Sequence, residues 1–485
     1  MFQCFSMIST AKNTFYLLVA YAYQKVVALF YFILLARYLG ADNFGKYTFA
    51  ISFTALFAVL IDVGMFAVLT REIARDRKKT KSYSGNILTF NIISSVLVFF
   101  IIYLVINLLN YPLLTKQLVY LNILVIFLDA LALCLYHVFR GYLNLKFESL
   151  GIIAHKTVML VVGLILIYLR APIVFMVLPL VAGSIFYLIN AVIFFKKKMH
   201  AWPWPRFNIK VMKSLLVLAW PFFVTAIFAK IFATSDTILL SFQAGDKFVG
   251  WYSAAQKLVL AFLLLIAGSL STALYPSFSY YFIHSKEYLK KLFTQGIFYM
   301  IFITIPLALG LIVLARPIIL FIYGSDYLSA IPALIILAAA LPFMFLDYVI
   351  SGFLNACERQ KINTLIHGLG AGIFVTLNLF LVPLFFHVGS SLAVLVSFLF
   401  LFILEIYWSR KIIKINWRYL LRKFILICLV SLLMSAVLLV IKDRLHLILT
   451  VVIGAAVYFT FAYILGLIKK QELLFLTTII KNKKK

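Results

Sequence analysis

Polar residues gather in short islands along this chain, and the runs between them stay apolar for about 20 residues or more. A bilayer core ~30 Å thick needs roughly that length for one helical crossing. The pattern predicts spans at 14–39, 44–70, 86–109, 118–140, 151–169 and 172–195. It predicts eight more at 214–242, 249–283, 293–315, 328–355, 363–387, 388–409, 420–441 and 445–468. Only Gly389-Ser390-Ser391 separates two of these, and 249–283 exceeds one crossing, so tilt or projection past the bilayer is expected there. Aromatic residues cluster near many span ends, as interfacial anchors do. The expected fold is an all-α integral membrane protein with fourteen transmembrane helices.

Two islands repeat. ARYLGADNFGKY (36–47) and SFQAGDKFVGWY (241–252) share Gly40, Gly45 and Tyr47 with Gly245, Gly250 and Tyr252, each pair 205 residues apart. The same offset carries Lys25 onto Lys230, both inside apolar runs. RGYLN (140–144) closes the fourth span and SGFLN (351–355) the tenth, at an offset of 211. Six spans separate the partners, an even number, so both halves enter the membrane in the same sense. That is a parallel repeat about an axis along the membrane normal. The expected organisation is a six-helix bundle over 1–210, a second over 211–415, and two further helices with a basic tail over 416–485.

Composition supports lipid as the solvent. Hydrophobic residues make up 65% of the chain and charged residues 12%, too few to solvate a soluble protein of 485 residues. Mean hydropathy is +1.09. Cys4, Cys134, Cys357 and Cys428 are scattered, which predicts reduced thiols, no disulfide framework and no metal site. The first apolar run is long and carries Lys25, so it reads as a retained span rather than a cleaved signal. Charge sets the orientation: 32 Lys and Arg fall in one alternate set of loops and tails, beginning at Lys12, and seven in the other. The positive-inside rule then places both termini in the cytoplasm of a cell membrane. The net charge of +29 follows from that count. Spread over every cytoplasmic loop and the tail KNKKK, it suits anionic lipid head groups and argues against nucleic acid.

The segment LLARYLGADNFGKYTFAISFTALFAVLIDVGMFAVLTREIAR (34–75) resembles the first two helices of polysaccharide flippases. These belong to the multidrug/oligosaccharidyl-lipid/polysaccharide exporter superfamily. LFIYGSDYLSAIPALIILA (320–338) resembles the start of the tenth helix in that family, and the likeness covers most of the chain. The resemblance implies translocation of polyprenyl-diphosphate-linked oligosaccharide units from the cytoplasmic to the outer leaflet. Glycosyltransferases or a polymerase of the same pathway are its implied partners, and a monomer is expected.

A lysine near mid-membrane costs roughly 2.5–3.5 kcal/mol on insertion scales, so it needs a wet cavity or a partner. Lys25 and Lys230 both sit near mid-depth, and in a parallel repeat they face one axis, where a diphosphate would relieve their repulsion. Lys257 extends the path outward. Arg37, near the outer end of the first span, reads either as a snorkelling side chain or as a gate and head-group contact. The competing reading has each lysine snorkel or pair with a carboxylate, as Lys230 with Asp236. His155 and Lys156 read as interfacial anchors, and His137 as a packing residue.

Asp62, Asp129, Asp236 and Asp347 lie in or near spans and are candidates for coupling to a H+ or Na+ gradient; static salt bridges are the alternative. Gly368 and Gly372 have the spacing for close helix contact, and Pro221 and Pro276 are expected to kink their spans. GLGAG follows no strand and is no nucleotide loop. With no Walker motif and no other cofactor motif, no cofactor is expected. A peptidoglycan-precursor flippase and a multidrug/cation antiporter remain the rivals within the superfamily. A membrane glycosyltransferase or polysaccharide polymerase is the rival enzyme; the short outside loops and the isolated Asp42, Asp246 and Asp326 argue against it.

Overall fold

The computed structural model describes residues 2–199 and 202–467, with side chains from residue 15 onward. Cys4, Lys12 and the basic tail ending KNKKK lie outside the described side chains. Among the described residues the chain is helical, without a strand. The first helices are α1 (Phe2–Asp62), α2 (Met65–Arg75), α3 (Thr80–Leu108), α4 (Leu113–Gly141) and α5 (Lys146–Tyr168). Next come α6 (Leu178–Met199), α7 (Ile209–Ala244), α8 (Asp246–Phe262), α9 (Gly268–His284) and α10 (Lys286–Val313). The last are α11 (Ala315–Ile322), α12 (Ile331–Ala356), α13 (Gln360–Arg410), α14 (Trp417–Ile441) and α15 (Leu447–Ile464).

Twelve continuous stretches are long and apolar enough to cross a membrane. Two of them are double: α1 breaks at Gly40 (φ 70°, ψ 171°) and α13 at Phe386 (φ 53°, ψ −129°). The fourteen expected crossings follow. The second break falls before Gly389-Ser390-Ser391, which stays helical. Pro383 explains the shift, because it removes a helical N–H donor three residues ahead of Phe386. The long 249–283 run continues from α8 to α9 through one π-helical turn at Leu263–Ala267. SGFLN closes α12, whose last residue is Ala356. The left-handed residues that terminate the two matching helices are Leu143 (φ 55°) and Glu358 (φ 61°), 215 residues apart rather than 211. Asn144 N–H donates to Phe139 O (3.0 Å) and Arg359 N–H to Leu354 O (2.9 Å), so both ends close in the same way.

Packing groups the chain differently from the repeat. One compact unit comprises Met1–Ser253 with Asn378–His387, and the other Ala254–Leu377 with Val388–Lys485. The sequence repeat places α7 in the second bundle, whereas packing places it in unit 1 with α1, α2 and α3. The core of unit 1 is aromatic and aliphatic, with Tyr31, Tyr47, Phe49, Tyr136 and Phe139 nearly or fully buried. In unit 2, α14 packs against both α10 and α15. Ile427, Val430, Met434 and Leu438 of α14 bury with Phe298 and Phe302 of α10, and Tyr458 of α15 donates to Phe302 O at 2.6 Å. The two helices outside the repeat thus belong to unit 2. Cys134 and Cys357 are buried, and both are free thiols, as is Cys428.

Candidate functional site

The repeated glycines meet one another. A Cβ on Gly45 would stand 1.7 Å from Asp246 O, and one on Gly250 would stand 1.9 Å from Ala41 O. Asp246 is Ala41 plus 205 and Gly250 is Gly45 plus 205, so the contact is reciprocal. Ser253 Oγ donates to Thr48 Oγ1 at 3.4 Å, again across an interval of 205. Gly40 (φ 70°) and Gly245 (φ 98°) make the two turns in the left half of conformational space, which Gly adopts without a Cβ clash. A local two-fold relation within unit 1 is therefore built by backbone-to-backbone contact.

Lys25 and Lys230 inherit that relation. Each stands 15 residues before its turn glycine, about 22 Å along a helix axis. Both are half-buried. Neither ammonium has an ion-pair partner among the described residues. The suggested Lys230–Asp236 pair does not form. Asp236 is 1% exposed; its Oδ1 accepts from Thr237 N at 2.6 Å and its Oδ2 from Tyr252 Oη at 2.6 Å. The residues one repeat earlier are Tyr31 and Tyr47, whose buried hydroxyls lie within hydrogen-bond reach of each other.

Lys25 has charged company that the sequence did not reveal. Lys156 of α5 lies within Coulombic range of both Lys25 and Asp129 of α4. Tyr23 Oη and Thr157 Oγ1, 2.7 Å apart, tie the same stretches of α1 and α5 together. Lys156, expected as an interfacial anchor, instead forms a local group with Lys25 and Asp129. Its neighbour His155 is 8% exposed and packs on Gly183, where a Cβ would stand 2.4 Å from the ring. It is a core residue rather than an anchor. His137 stacks on Phe66 and meets Thr70 Oγ1 at 2.9 Å, which fits packing.

The remaining candidates separate. Asp62 Oδ1 accepts from Phe66 N at 2.8 Å across the Val63–Gly64 break, so it caps the start of α2. Arg37 is exposed and Lys257 half-buried, and each is engaged by a neighbouring group. Gly372 makes no close helix contact, because a Cβ there would meet nothing within 4 Å. It lines an open groove of about 480 Å³ with Gly368, Leu369 and Thr376.

Asp347 has partners that the sequence reading missed. It lies in unit 2 beside His367 and Glu405, with His367 Nε2 3.6 Å from Asp347 Oδ1 and 3.7 Å from Glu405 Oε1. Glu405 is fully buried; its carboxyl and that of Asp347 lie within hydrogen-bond reach of each other, and no N–H or hydroxyl of another described residue reaches either Glu405 oxygen or Asp347 Oδ1. A signal existed: Glu405 interrupts the apolar run LFILEIYW and His367 the run TLIHGLG. What was invisible is that α12 and both legs of α13 converge.

Paired charges occupy helix ends. Arg140 Nε donates to Glu148 Oε2 at 2.7 Å, and Arg140 Nη2 to Tyr21 Oη at 3.1 Å. At the end of α2 and in the turn after it, Glu72 takes Lys79 at 3.0 Å, Arg71 at 3.3 Å and Arg75 at 3.4 Å. The Lys79 hydrogen bond holds the Glu72 carboxyl below its ordinary range, and Glu72 raises Lys79 in return.

The fold is that of a multi-pass membrane transporter. It superposes on lipid II flippase MurJ in an inward closed conformation with a TM-score of 0.77 at 20% identity, covering 92% of this chain and 98% of that one. An inward-facing multidrug resistance MATE family transporter gives a TM-score of 0.65 at 14% identity, covering 82% of this chain and 96% of that chain. The family described as polysaccharide biosynthesis protein matches residues 10–282. The chain belongs to that family. A proposed O-antigen transporter of Shigella dysenteriae is 28% identical over 212 residues, 43% of this chain and 51% of that protein. An uncharacterized membrane protein of Methanocaldococcus jannaschii is 28% identical over 237 residues, 48% of this chain and 46% of that protein. The chain thus spans about half the length of the curated relatives it matches.

Proposed function

We propose that this protein is a flippase that carries polyprenyl-diphosphate-linked oligosaccharide units from the cytoplasmic to the outer leaflet of the cell membrane. The cargo feeds surface polysaccharide or glycan assembly, and the mechanism is ion-coupled alternating access rather than catalysis. The observation that carries the reading is the pair Lys25 and Lys230, related by the glycine crossing, half-buried and without ion partners. An ammonium kept in a membrane span without a carboxylate needs an anion or water from elsewhere, and a diphosphate head supplies negative charge while its polyprenyl tail stays in lipid. Lys156 adds charge near Lys25. The positive-inside count supports cytoplasmic termini, on the side where basic loops would attract anionic lipid. Asp129, beside Ser184 and Lys156, and Asp347, beside His367 and Glu405, suit coupling to H+ or Na+ better than the capping Asp62 or the satisfied Asp236.

The test is a proteoliposome assay that follows leaflet accessibility of a fluorescent polyprenyl-diphosphate oligosaccharide. The wild-type chain is expected to equilibrate the probe, and K25A/K230A to fall to the rate of empty vesicles. Equal rates for wild type and double variant would overturn the reading. Faster movement of a peptidoglycan precursor than of the oligosaccharide lipid would favour the rival cargo.

A further inference from the structure

We propose that Asp347, His367 and Glu405 form a binding site for one divalent transition-metal cation of the zinc or manganese class within unit 2. The sequence alone predicted no metal; the convergence of α12 with both legs of α13 creates the donor set. One ligand atom from each residue lies within 4.8 Å of the other two. The observed 3.6 and 3.7 Å separations from His367 Nε2 exceed a hydrogen bond. A tetrahedral ion with ligand bonds of 2.0–2.1 Å holds its donors ~3.4 Å apart. Closing the three groups on an ion therefore takes movements of a few tenths of an ångström.

Charge argues the same way. Two buried carboxylates face one imidazole, and neither is paired with Lys or Arg among the described residues. A doubly positive ion cancels them, and it satisfies Asp347 Oδ1 and a Glu405 oxygen. The nitrogen donor selects a transition metal over Na+, K+ or Ca2+, which prefer all-oxygen sites. Ser351 Oγ, which accepts from Asn363 Nδ2 at 2.8 Å, stands 3.3 Å from His367 Nε2, a contact that an ion on Nε2 would replace. The His367 side chain is 30% exposed, which leaves the ion a path in. Bound there, the metal fastens the two legs of α13 to α12.

This inference shares Asp347 with the ion-coupling part of the flippase reading, but its test needs no transport, so failure of one is distinguishable from failure of the other. The full chain without an affinity tag, in nanodiscs and stripped by chelator, is titrated calorimetrically with Zn2+ and with Mn2+ in a buffer containing Na+. One ion per chain is expected, with affinity reduced at least about 30-fold in both E405Q and H367A. Zn2+ should raise the melting temperature of the wild type and leave that of E405Q unchanged. Metal-free E405Q should melt no lower than the wild type, because it removes a buried unpaired carboxylate. Absence of binding to the wild type would overturn the site. So would unchanged affinity in both variants, or a metal-free E405Q that melts lower yet still binds Zn2+.

Discussion

Unit 1 keeps half-buried ammonium groups at Lys25 and Lys230 that form no ion pair among the described residues, whereas unit 2 keeps buried carboxylates at Asp347 and Glu405 that pair with no Lys or Arg among the described residues. The two arrangements are electrostatic opposites, and each contrasts with the Arg140–Glu148 pair, in which both charges are satisfied locally. A charge withdrawn from water costs several kcal/mol unless its complement is at hand. Where the protein supplies the complement, the residue is part of the scaffold. Where it does not, the complement comes from outside: an anion for the lysines, a cation for the acids.

The contrast breaks most sharply by reversing the lysines. K25E/K230E should lose at least ~100-fold in probe movement, while K25R/K230R should stay within ~10-fold of the wild type, because the positive charge rather than the ammonium shape is what matters. The glycine crossing that keeps the lysines equivalent comes next. G45A or G250A drives a methyl into a backbone carbonyl and should cost about 3 kcal/mol or more, seen as a lowered melting temperature in detergent. G372A, with open space around it, should be within ~0.5 kcal/mol of the wild type. E148Q leaves Arg140 half-buried without its anion, and a loss of roughly 3 kcal/mol in stability is expected. The preference of the transporter for diphosphate over neutral lipid should not change.

The smallest effect belongs to the cluster of Arg71, Arg75 and Lys79 around Glu72. Its carboxyl binds a proton less readily in the folded protein than in the unfolded chain. Its contribution is therefore complete above the ordinary glutamate range and is lost as pH falls through the lowered folded value. Lys79 has the opposite sign: its contribution is complete below the ordinary lysine range and is lost as pH rises through the raised folded value. In melting curves against pH, E72Q should flatten the acid limb and leave the neutral region nearly unchanged.

The crossings were legible because a bilayer imposes its thickness on every apolar run, and the turn glycines because their spacing repeats. The offset of 205 even anticipated the reciprocal contact of Gly45 and Gly250, although sequence alone could not say that the two turns touch. Lys156 was misread because its partners come from α1 and α4, more than twenty residues away in the chain. Asp236 looked available for coupling or for Lys230 until Tyr252, sixteen residues on, closed over it. The break in α13 was displaced from the glycine to Phe386, since a proline upstream weakens a helix more than a glycine within it.

Sequence by itself determined the medium, the number of crossings, the parallel repeat and the paired positions of the lysines, because each follows from local hydrophobicity, length or spacing. Only the tertiary structure decided which charges are satisfied and which are left open. Tyr252 reaches Asp236, Arg140 reaches Glu148, and His367 and Glu405 gather around Asp347 because helices distant in sequence pack side by side. Partnership between charges is a matter of a few ångströms in space, and no one-dimensional pattern carries that distance.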